Sequence, residues 1–229
     1  MLILNTNIET PSLTDIPVML SASMPDELVG TPRAQLMFSF IVLFTQAVVE
    51  AGGKIVFGGH PGISPLVHEA VRKMNKNDAV KIFQLSRFKD KAPKEIWDKK
   101  AFDSINWIGD GKAKIEDDLA TLRDSMASVS KAAVFIGGKT QNENFSGKIP
   151  GIRDEYNRFL VHNPESPVYL IGLMRGETLN IIKEKNLQKT DGLSDQERRI
   201  IHNSDSIELI ISLIIKDIAR LISYRFPHK

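Results

Sequence analysis

Three short stretches hold the residues whose types and spacing could do chemistry. Gly58-Gly59-His60-Pro61-Gly62-Ile63-Ser64 follows the apolar run Ile55-Val56-Phe57, Gly137-Gly138 follows Ala133 to Ile136, and Gly151-Ile152-Arg153-Asp154-Glu155-Tyr156 follows a polar loop. Paired glycines at a strand end leave main-chain N–H groups open to close approach. A helix starting just beyond them adds unpaired amides and the positive end of its dipole, and together these bind anions such as phosphate. Ser64 supplies an N-cap oxygen and Pro65 suits the first helical position, so the first turn is expected to open a helix aimed at a strand end. Glycines can also do no more than turn the corner of a βα unit, but the second copy at Gly137 favours the anion site. Gly58, Gly59, His60, Gly62, Ser64, Gly137, Gly138 and Gly151 are therefore candidate ligand contacts.

The elements that must position these residues are strands alternating with helices. Ile16–Ala22, Ile55–Phe57, Val80–Leu85, Ser104–Ile108, Ala133–Ile136 and Val168–Gly172 read as strands. Most are short continuous apolar runs, the pattern of strands covered on both faces. Helical spacing predicts helices from Pro32 to Ala51, from Ser64 onward, over Ile115–Ser130, from Ile152 to about Val161 and over Arg175–Lys183. The fold class is thus α/β, a Rossmann-like open parallel sheet with helices on both faces and an apolar C-terminal helix. A single domain is expected over 1–229, with an irregular lead-in over 1–15 and a helical extension over 194–229.

In such a sheet, ligands gather beyond the C-terminal ends of the strands. Ser21 and Ser23, in the Ser21–Pro25 stretch that ends the first strand, are candidate contacts there, although serine at a strand end also serves its own turn. Arg33 is placed to reach a phosphate or to pair with Asp26 or Glu27. The loop Gly137–Gly151 is long, polar and glycine-containing, which suits a flap over a site.

Composition removes several classes of function. There is no cysteine, so neither a disulfide framework nor a thiolate site is available, in keeping with a cytoplasmic setting. A net charge of +2 argues against general nucleic-acid binding, and the lysines of Arg87–Lys100 are interleaved with acids as on a solvated helix face. The five histidines show no metal-ligand spacing, so no metal site and no cofactor is expected. Leu36–Val49 is shorter than the ~20 residues a bilayer requires, and Ile207–Ile222 is interrupted by Lys216, Asp217 and Arg220. Both read as core or interface helices, with no membrane partner.

Taken together, GGHPGISPLVHEA, LRDSMASVSKAAVFIGG and GIRDEY resemble the SLOG superfamily, over roughly Val18 to Leu173. That group includes the Lonely Guy phosphoribohydrolases, the Smf DNA-processing proteins and nucleotide-sensing domains of TRPM channels and bacterial defence systems. The resemblance places Glu155 at the family's catalytic glutamate and Arg123 near its partner arginine. Such a pair would hold a ribose and stabilise positive charge at C1′ during N-glycosidic cleavage. Two departures stand out: twelve residues separate Gly138 from Gly151, and Ile152 replaces the threonine of the family turn. Asp154 and Glu155 in one turn would repel a phosphate yet accept hydrogen bonds from ribose hydroxyls. They would also stabilise any helix start; Asp154 is assigned to that simpler role, and Arg153 is likewise given no ligand contact.

The resemblance implies a domain that senses a phosphorylated nucleotide or ADP-ribose-like ligand and regulates assembly as a homo-oligomer or a partner effector, as in bacterial defence. Hydrolysis of a nucleoside monophosphate by Glu155 and Arg123, and a scaffold with a vestigial pocket, are the alternatives.

Overall fold

The computed structural model describes residues 11–91, 102–145, 147–184 and 187–225. The lead-in before residue 11 and most of the Arg87–Lys100 stretch lie outside them. Six strands, β1 (Pro17–Ser23), β2 (Lys54–Phe57), β3 (Val80–Leu85), β4 (Ser104–Ile108), β5 (Ala132–Gly137) and β6 (Val168–Ile171), form one sheet in the order β4-β3-β2-β1-β5-β6. Every pairing is parallel. The order reverses at β1: the chain builds outward through β2, β3 and β4, then crosses back to lay β5 on the other side of β1. Such a reversal leaves a crevice at the C-terminal strand ends, because the connections on its two sides diverge.

Alternate residues of each strand feed two separate cores, as a two-residue period requires. Val18, Leu20, Ile55, Phe57, Val134, Ile136, Tyr169 and Ile171 face one layer, while Met19, Val56, Ala133, Phe135 and Leu170 face the other. The first layer is built by α1 (Pro32–Glu50), α2 (Ser64–Met74) and, after the second, two C-terminal helices; the second by α3 (Ile115–Val129), α4 (Gly151–His162) and α5 (Gly176–Ile182).

Helix α1 is long and apolar enough to cross a bilayer, and the structure shows where its apolar residues go. Met37, Phe40, Ile41, Phe44 and Val48 are buried against the sheet and its neighbouring helices, with Phe40 and Phe44 stacked at 5.5 Å. The two C-terminal helices are α6 (Asp195–Asn203) and α7 (Ile207–Arg225). In α7, Ile207, Ile210, Ile211, Ile214, Ile215 and Ile218 recur at three- and four-residue steps and are all buried, so its apolar stripe is used within the chain. The Tyr169 hydroxyl of β6 donates to Asp217 Oδ2 of α7 at 2.9 Å, giving the buried carboxylate a partner across the layer.

Candidate functional site

A cavity of about 520 Å3 lies at the C-terminal ends of β1, β2 and β3, roofed by α3 and the start of α4. That volume suits a small-molecule ligand. Ser21 and Ser23 reach it because they share the strand parity of Met19, which faces the α3–α4 layer.

The first glycine pair lines the cavity. Gly59 has φ +59, and a Cβ there would press on Gln84 and Ile82 at 3.0 Å. Gln84 Nε2 donates to the Gly59 carbonyl at 2.9 Å, fixing the turn against β3. Next comes His60, exposed on the cavity rim, whose Nδ1 accepts the Gly62 N–H at 3.1 Å. Partial desolvation, with Lys139 nearby, holds its pKa below the usual histidine value.

Ser64 is not the helix cap its sequence context suggests. Helix α2 begins at Ser64 itself, Ile63 takes the cap position, and the Ser64 hydroxyl donates to the His60 carbonyl at 3.0 Å. The same carbonyl accepts the Ile63 and Ser64 amides at 2.9 Å. The His60 main chain thus consumes the donors expected to face a phosphate, and the fully buried Ser64 does not line the cavity. Gly62 lies instead in a neighbouring groove.

The second glycine pair is likewise engaged in the fold. Gly137 and Gly138 have φ +73 and +95, and a Cβ at Gly137 would collide with the Ser23 carbonyl oxygen. The Gly138 N–H donates to that carbonyl at 2.7 Å, while the Gly138 carbonyl accepts the Glu177 amide at 3.0 Å. These glycines let β1, β5 and α5 approach one another, and neither lines the cavity. Gly151 does, at the start of α4, where a Cβ would stand 3.0 Å from Arg123 Nη2. The absent side chain gives the guanidinium its place.

Arg123 and Glu155 are brought together. Arg123, buried on α3, donates from Nη1 to Asp154 Oδ2 at 2.7 Å, and its Nε stands 3.6 Å from Glu155 Oε1. Asp154 is thus more than a helix-dipole partner: it binds Arg123 and also accepts from Arg158 Nε at 2.9 Å. Because α4 begins at Gly151, Glu155 falls one residue beyond the first turn. Burial pushes the Glu155 carboxyl above its ordinary pKa, opposed by Arg123 and Ser21 and reinforced by Asp154. Ser21 Oγ and Arg123 Nε, both buried, fall short of full hydrogen-bond geometry with any described residue, and Glu155 is the carboxylate that acts on both. A ligand oxygen at this point could complete the hydrogen bonding of both.

Arg33 follows neither expectation: its Nη1 donates to the Leu173 carbonyl at 3.0 Å. Arg153 turns away to pair with Glu177 and Glu184.

Several lining residues lie outside the recognised motifs. Phe88 comes from the short 3-10 helix after β3, Leu119 from α3, and Lys139 and Phe145 from the loop before α4. The loop contributes Lys139, Asn144 and Phe145 to the cavity wall. Glu143 anchors it by accepting the Asp26 amide and the Thr140 hydroxyl, the latter at 2.8 Å, while Lys139 Nζ pairs with Asp26 Oδ1 at 2.9 Å. The length of that polar loop is its signal in the sequence. Nothing local marks which of its side chains turn inward.

Comparison with known proteins adds the family. No curated protein matches the chain. Among solved structures, the X-ray structure of TM1055, a Northeast Structural Genomics Consortium target, is similar at a TM-score of 0.56 and 18% identity, covering 87% of this chain and 98% of that one. At that identity the likeness is one of fold. The model of the SLOG cluster3 family matches residues 39–203, from within α1 to the end of α6. With most of its length so matched, including both glycine pairs, Arg123 and Glu155, the chain belongs to the SLOG cluster3 family.

Proposed function

We propose that this cavity binds a phosphorylated nucleotide or ADP-ribose-like molecule, with its ribose hydroxyls on Glu155. The observation that carries the reading is the half-buried Glu155 carboxylate, with Arg123 Nε 3.6 Å away and the buried Ser21 hydroxyl beside it, inside a ligand-sized cavity at the reversal of strand order. A vicinal diol both donates and accepts, and it answers an acceptor and two donors at once. The base lies against Phe88, Leu119 and Phe145, apolar surface fit for stacking, and the phosphates lie toward Lys139 and the Gly58–His60 turn. Membership of the SLOG group favours the same ligand class. Occupancy then acts as a signal that regulates assembly or a partner effector, in keeping with the defence systems in which related domains occur.

Calorimetric titration with AMP, ADP and ADP-ribose tests the binding. A saturable heat with at least one of them, lost in Glu155→Ala, is expected; no heat and no thermal shift with any of them would overturn it.

The raised Glu155 pKa supports a second reading, hydrolysis of a nucleoside 5′-monophosphate. Water adds at C1′, the base leaves with a proton, and ribose 5-phosphate remains. Chromatography separates the two readings. Base release abolished in Glu155→Ala establishes catalysis, whereas tight binding without release establishes sensing.

A further inference from the structure

We infer that the ligand is a dinucleotide, two nucleosides joined through phosphates, with one nucleoside beside Glu155 and the second base in an adjacent apolar chamber. This rests on the reading of the first cavity as a nucleotide site. The second chamber, of about 480 Å3, is walled by Met24, Val29, Gln35, Met37, Phe38 and Ile63. Its size by itself suits a small-molecule group.

The two chambers adjoin along two segments of chain. Ser23 lines the first and Met24 the second; Pro61 lines the first and Gly62 the second; His60 lines both. One ligand bridging them must therefore pass His60 at its middle. Lys139, which lines the first chamber and acts electrostatically on His60, stands at the same passage. Its ion pair with Asp26 is partly exposed, with side chains 34% and 52% accessible, so the ammonium can exchange that partner for a phosphate. Asp26 and Glu143 are the acids at this point. Glu143 is occupied by the Asp26 amide and by Thr140, and Asp26 by Lys139.

The second chamber has the makings of a base pocket. Phe38, Met24 and Met37 offer apolar and polarizable surface, and the Gln35 amide on α1 makes no hydrogen bond among the described residues, leaving it to read a base edge. The other polar side chain there, Thr31, already donates to the Leu28 carbonyl at 2.7 Å.

The test compares ADP with diadenosine diphosphate by calorimetry on the full chain, in the wild type and in Gln35→Trp and Val29→Trp. Val29 is exposed and Gln35 lies on the solvent side of α1, so both variants fill the chamber without disturbing the core. The dinucleotide is expected to bind at least about tenfold tighter than ADP, and both substitutions should remove that advantage while leaving ADP affinity unchanged. ADP binding as tightly as the dinucleotide, or an advantage that survives both substitutions, would overturn the inference. If neither compound binds the wild type, the nucleotide reading fails and this inference falls with it.

Discussion

Arg123 is shared between two carboxylates of one helix: its Nη1 lies 2.7 Å from Asp154 Oδ2, and its Nε stands 3.6 Å from Glu155 Oε1. The first is a full charge-assisted hydrogen bond, whereas the second is only an ion pair. Asp154 therefore fixes the arginine, and Glu155 keeps hydrogen-bonding capacity for something else. A site that binds must hold such capacity in reserve, at a cost to the empty protein.

That cost is measurable. Burial raises the Glu155 pKa above its ordinary 4.5, so the folded chain holds this proton more tightly than the unfolded chain does. The group's contribution to stability is full below the unfolded value and is lost as pH rises through the folded one. Glu155→Gln should therefore raise the melting temperature of the unliganded protein at pH 7 by a few degrees, about 2–4 °C for each 1 kcal/mol recovered. The gain should vanish below pH 4. Scanning calorimetry of both proteins across that range checks it, and a Tm lowered at neutral pH would show that Glu155 is structural.

Removing the arginine has the opposite sign. Arg123→Met leaves Asp154 and Glu155 close together in a largely buried setting, with only Arg158 to balance them. Breaking a buried pair in this way costs about 3–5 kcal/mol, and urea unfolding should register a loss near that size. The triple variant Arg123→Met, Asp154→Asn, Glu155→Gln should recover most of it, since no uncompensated charge remains.

The loop residues should act on binding and leave stability nearly unchanged. Phe145→Ala removes a stacking surface worth about 1–3 kcal/mol per base, so nucleotide affinity should fall roughly tenfold or more. Lys139→Ala should weaken binding and flatten its salt dependence, because one phosphate contact is lost. Calorimetry at two ionic strengths reads both effects.

The second glycine pair should behave as structure. Gly137→Ala places a Cβ against the Ser23 carbonyl in a left-handed conformation, which alone costs about 1–2 kcal/mol. Thermal unfolding should shift downward accordingly. Ligand affinity, measured where the variant is fully folded, should stay within about twofold of wild type, the reverse of what a phosphate-binding glycine would show.

These contrasts follow from what the sequence could and could not express. The strands were legible because apolar runs such as Ala132–Gly137 end at glycines, and the alternation of strand and helix implied a parallel sheet before any pairing was known. Ser21, Ser23, Gly58, Gly59, His60, Gly151, Arg123 and Glu155 all reach one cavity because each sits at a strand end or on a helix that roofs it. Ser64 misled because Ser-Pro is a genuine helix-start signal, and a local signal cannot report that the His60 carbonyl, four residues back, has taken both the amide and the hydroxyl. Gly137 and Gly138 misled for a related reason. A positive φ needed for backbone packing and one needed for a ligand look alike in sequence. Phe88, Lys139 and Phe145 were beyond reach, since the loop's placement depends on Glu143 meeting the Asp26 amide across 117 residues of chain.

The most direct test is a crystal structure of the protein with ADP-ribose in excess. Density for the ligand is predicted in the cavity roofed by α3 and α4, with a ribose hydroxyl within about 3 Å of Glu155 and the base against Phe88 and Leu119. Density bound elsewhere on the chain, or a cavity that stays free of ligand at saturating concentration, would contradict the account.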